Sequence, residues 1–107
     1  MKNYTKNNIK EINKLSNLAY KRELSAALNN LEKKFEEWNK GDIDCFELND
    51  LIHKYHNNTA RELYDKYNNN DLSDITIAWT IANGIISKNE VSKELINKLE
   101  DYINRYS

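Results

Sequence analysis

The sequence predicts an all-α protein, an antiparallel bundle of four to five helices with a long N-terminal helix. Three observations carry that expectation. Its 107 residues include no proline and two glycines, too few turn formers for a sandwich or a barrel. Apolar residues recur at steps of three and four along most of the chain, the period of an amphipathic helix. The one stretch that alternates like a strand, Ile75, Ile77, Trp79 and Ile81, has no second strand to pair with, so it reads as a central helix apolar on most sides. The length suits one domain, residues 1–107, with a single modest core and with residues 1–8 expected to fray.

The first helix is expected from about residue 8 to residue 39. Its stripe runs through Ile9, Ile12, Leu15, Leu18, Tyr20, Leu24, Leu28, Leu31, Phe35 and Trp38, and Gly41 stands where a left-handed residue would end it. Such a rod is nearly 50 Å long at 1.5 Å per residue, more than a compact domain of this size covers. Either it breaks near Ser16 and Asn17, or its N-terminal part projects toward a partner. A second helix starts after Asp44, a capping residue with Glu47 three places on and with Ile43 set to staple to Leu48. Its stripe through Leu48, Leu51, Ile52 and Tyr55 lies roughly 120° from that of Ala60, Leu63, Tyr64 and Tyr67, so a kink or break is expected at "HNNT", with Thr59 and Glu62 as a new capping box. The polar run "NNNDLSD" then leads into the apolar helix. A closing helix begins at Ser92, with Val91 stapling to Ile96 and a stripe through Leu95, Leu99, Tyr102, Ile103 and Tyr106.

Function is constrained mainly by exclusion. The net charge of −1 makes no overall case for nucleic acid or a membrane surface. One cysteine allows no internal disulfide, and "MKNYTKNNIKEINKL" has no run apolar enough for a signal peptide or a spanning helix, so a cytoplasmic protein is expected. The two glycines are isolated, which removes a phosphate-cradling loop, and no arginine precedes a histidine at the spacing of helical nucleases. Cys45 begins a helix, but three carboxylates in "DIDCFE" oppose a reactive thiolate. Asp50 and His53 share a helix face and make the one metal candidate; the di-iron arrangement needs a second carboxylate and histidine pair, and His56 cannot supply it. No cofactor is expected, and an enzymatic role is less expected than a binding one.

Two features favour recognition. Lys6, Lys10, Lys14, Lys21 and Arg22 belong to a basic N-terminal segment of net charge +5 over residues 1–22, which makes a nucleic-acid-binding regulator the alternative reading. The segment "GIISKNEVSKEL" resembles the turn and recognition helix of helix-turn-helix proteins. It carries one residue more between Gly84 and Val91 than that pattern, and Glu90, Glu94, Glu100 and Asp101 would repel phosphate. Seven tyrosines and two tryptophans exceed what a small core needs, and Trp38, Tyr55, Tyr64 and Tyr67 are the candidate contact residues. The leading expectation is a non-enzymatic helical interaction module of bacterial or phage regulatory type, binding another protein or itself.

Overall fold

A computed structural model describes residues 3–68 and 73–107, and all regular structure in them is helical. The helices are α1 (Lys6–Asn39), α2 (Cys45–Lys54), α3 (Arg61–Asn68), α4 (Ser73–Ala82) and α5 (Lys93–Tyr106). A π-helical segment, Tyr55–Ala60, joins α2 to α3 without a break, and a 3₁₀ turn, Lys88–Glu90, precedes α5. The chain measures 54 × 24 × 22 Å, so α1, about 51 Å long at 1.5 Å per residue, spans its full length.

The helix starts follow from local chemistry. Thr5 and Asn8 exchange side-chain bonds with each other's backbone at 3.1 and 3.0 Å, a complete capping box for α1. The Tyr4 hydroxyl donates to Asp74 of α4 at 2.8 Å, and Asn8, buried, accepts from Lys98 of α5 at 2.6 Å. Residues 4–8, expected to fray, are therefore tied to two other helices. Asp44 caps α2 through the Glu47 amide at 2.8 Å, and Ser92 caps α5 through the Leu95 amide at 3.2 Å.

Both glycines stop helices by one device. Gly41 at φ 82° and Gly84 at φ 77° sit in the left-handed region. In each case two successive amides turn back onto the last turn, Gly41 to Trp38 and Asp42 to Glu37, then Gly84 to Ile81 and Ile85 to Thr80. A side chain at either position would force a φ that L-residues rarely adopt.

α1 neither breaks at Ser16 and Asn17 nor projects at its N-terminal end. Its first half is the buried one: Ile12, Leu15 and Ala19 pack against Ile77, Ala78 and Ile81 of α4, against Leu95, Leu99 and Ile103 of α5, and against Ile86, Val91 and Tyr67. α4 is the inner helix that the sequence predicts. Its buried Thr80 satisfies its hydroxyl on the Ile77 carbonyl at 2.7 Å, so burial leaves no orphaned donor. The second half of α1 runs past this core and is joined by α2, where Leu48 is the one buried apolar residue described.

The kink or break expected at "HNNT" takes the form of the π segment, and the helix passes through Thr59 rather than restarting at it. An i→i+5 turn takes one residue more than an i→i+4 turn, which sets α3 back by about 100° relative to α2. That offset nearly cancels the roughly 120° displacement between the two stripes, so Leu51 and Tyr55 on one side of the segment, and Leu63 and Tyr67 on the other, can face α1 together.

Candidate interaction surface

Of the seven large apolar or aromatic side chains exposed among the described residues, four belong to the projecting arm formed by the second half of α1 with α2, while Ile9, Tyr64 and Tyr106 stand apart from it. Leu28, Phe35 and Trp38 of α1 are 47%, 38% and 42% exposed, and Phe46 of α2 is 82% exposed. At about 100° per residue, Leu24, Leu28 and Phe35 centre roughly 170° from Ile12, Leu15 and Ala19. The apolar stripe of α1 thus changes side along its length, and the arm's share of it lies opposite the side that carries the core. α2 covers only its margin, where Ala27, Leu31 and Lys34 meet Leu51, Lys54 and Tyr55 across a shallow groove.

The four aromatic candidates do not share one surface. Trp38 stands near the tip of the arm, and Tyr55 is half-buried against α1 in the groove just described. Tyr64 is exposed beside Tyr20, His56 and Arg61. Tyr20 and Trp38 lie about 27 Å apart along α1 at 1.5 Å per residue, too far for one compact contact. Tyr67 is buried. Its ring stacks on Tyr20 with centroids 5.5 Å apart, and its hydroxyl donates to Glu23, so it packs the fold instead of lining a surface. Lys66 Nζ lies 2.9 Å from the same Glu23 carboxylate and 3.4 Å from the centroid of Trp79, which ties α1, α3 and α4 together.

Lys6, Lys10, Lys14 and Lys21 are exposed on one side of α1, within about 80° of one another at helical spacing. Arg22 is taken out of this basic set. Its guanidinium grips Glu90 through two bonds of 2.8 and 2.7 Å and also donates to the Ile85 carbonyl at 2.8 Å. The Arg22 bonds, with the Ser87 amide, hold the Glu90 carboxyl down to about 2.

The helix-turn-helix likeness does not extend to geometry. Ten residues, 83–92, separate α4 from α5, where that motif uses a turn of three or four. The N-terminal end of α5, where a phosphate would dock, is occupied by Glu11, whose carboxylate accepts from the Ser92 amide and hydroxyl at 2.7 and 2.6 Å.

Asp50, His53 and His56 are all exposed, and Asp50 pairs with Lys54 at 3.0 Å. Among the described residues no three His, Cys, Asp or Glu side chains converge as metal ligands would. Cys45 is exposed with a free thiol. The strongly displaced ionisations belong to ties between helices: burial, then the bonds to Asp74 and Glu23, raise the Tyr4 and Tyr67 hydroxyls far above their ordinary value. No described helix is long and apolar enough to cross a membrane. Against family models, curated proteins and solved structures, the chain finds no match in any of the three.

Proposed function

We propose that the protein is a non-enzymatic helical interaction module: an antiparallel bundle, working in a reducing cytoplasm, that presents its projecting arm to a protein partner. The observation that carries the reading is the exposed set Leu28, Phe35, Trp38 and Phe46 on a helical pair that buries little apolar surface of its own. Large exposed apolar side chains gathered on one element mark a contact surface more often than they mark chance. A two-helix arm with one buried leucine also gains most from a partner that completes its core. A photo-reactive amino acid placed at Phe35 in living cells tests this. Discrete covalent adducts at Phe35, absent when the probe stands at Glu100 of α5, are expected. No adduct, or the same adducts at both positions, would overturn the proposal.

A further inference from the structure

We infer that the partner of the arm is a second copy of this chain, docked antiparallel along α1, which rests on the reading of the arm as a contact surface. Positions 24, 28, 31, 35 and 38 alternate steps of four and three, the spacing of a coiled-coil seam, and they hold Leu24, Leu28, Leu31, Phe35 and Trp38. Continued toward the N-terminus, the same seam holds Lys21, Asn17, Lys14 and Lys10. A parallel pair would stack these lysines on one another in the seam, which charge repulsion forbids. An antiparallel pair brings only the apolar halves together.

Charge favours the same direction. Residues 1–22 carry +5, while residues 23–60 carry eight carboxylates against four lysines, a net −4. Glu32, Glu36, Asp42, Asp44, Glu47 and Asp50 near the arm's tip are all exposed. Setting Leu28 against Leu31 of the second copy places Leu24 against its Phe35 and Lys21 against its Trp38. The acidic turn then lies beside Lys14 and Lys21 of the second copy, and the symmetric contact repeats at the other end. α4 and α5 sit on the opposite side of α1, over Ile12, Leu15 and Ala19, and leave the seam clear. Two arms would form a four-helix core between two outlying globular ends.

Sedimentation of the full chain across micromolar concentrations tests the assignment. A reversible dimer is expected, with its dissociation constant raised at least tenfold by Leu28→Glu with Phe35→Glu and also by Lys14→Glu with Lys21→Glu. Adding Asp42→Lys, which leaves the Asp44 cap of α2 intact, to the second pair should restore part of the association. These side chains are exposed, so unchanged melting and circular dichroism show that the fold survives. A wild-type monomer at every concentration, or a dimer indifferent to Leu28→Glu with Phe35→Glu, would overturn the inference. So would short duplex DNA displacing the dimer at low salt through the same lysines. A monomer that still forms the Phe35 adducts would leave the interaction surface standing with a different protein upon it.

Discussion

Glu11 and Ser92 stand eighty-one positions apart in the chain and close the N-terminal end of α5 between them. Ser92 caps the helix through the Leu95 amide, while its own amide and hydroxyl donate to the Glu11 carboxylate. A local capping box would take that carboxylate from the third residue of the same helix; here α1 supplies it, so the cap also locks α5 to α1. Ser92→Ala should destabilise the fold by about 1–2 kcal/mol and Glu11→Ala by about 1 kcal/mol. The double substitution should cost clearly less than the two together when measured by urea unfolding. Simple additivity would mean that the two groups do not meet in solution.

Acid should weaken the fold through Glu90. Its carboxyl sits at about 2, below the ordinary 4.5, so the stability it supplies is complete above pH 4.5 and drains away as pH falls toward 2. Following the Glu90 side-chain carbon by NMR should give a midpoint well under the ordinary 4.5. Arg22→Gln should move that midpoint back up, since the guanidinium is the first cause of the shift. A normal midpoint in the unaltered chain would show that the pair does not hold in solution.

Alkali acts through Tyr4 and Tyr67. Both hydroxyls are raised above 10 by burial and by donating to Asp74 and Glu23, so the stability gained from keeping them neutral persists below pH 10 and is lost as pH climbs further. Phenolate absorbance at 295 nm should therefore end in a second stage worth two tyrosines, which comes only as the helical signal collapses. Tyr67→Phe should remove one tyrosine from the second stage alone. A single smooth transition covering all seven would contradict the burial of these rings.

What could be read from the sequence was local. Asp44, Ser92 and Gly41 act within one turn of their own positions, and each does in the structure what its residue type dictates. The helical nature of "ITIAWTIA" was legible for a different reason, since a lone strand would lack a pairing partner. The half of α1 that meets the core was not legible. Both halves carry apolar residues at helical spacing, and only the position of α4 and α5 decides between Ile12, Leu15 and Ala19 on one side and Leu24, Leu28 and Phe35 on the other. Tyr67 misled for a related reason: a tyrosine suits an interface or a core equally, and Glu23, its buried hydroxyl's partner, lies forty-four positions away. Arg22 looked like a phosphate ligand until Glu90, sixty-eight positions on, claimed it.

The π segment makes the sharpest prediction. The helix from Cys45 to Asn68 contains one residue more than a regular α-helix needs to keep Leu51 and Leu63 on compatible faces. Deleting Asn58, exposed and in the middle of the segment, lets an α turn replace the π turn and leaves both faces where they were. The deletion variant should stay folded, with stability within about 1 kcal/mol of the parent, because a mid-helix π turn is itself the less regular hydrogen-bonding arrangement. Inserting one alanine at the same place does the reverse. It turns α3 a further ~100° and carries Tyr67 away from Tyr20 and Glu23, which should cost about 3 kcal/mol or more through lost burial and an orphaned hydroxyl. Thermal unfolding of the two variants separates the outcomes. If the deletion is as damaging as the insertion, the two stripes must instead be joined by a true break at His56, Asn57 and Asn58, and the continuous helix is not the form the chain adopts in solution.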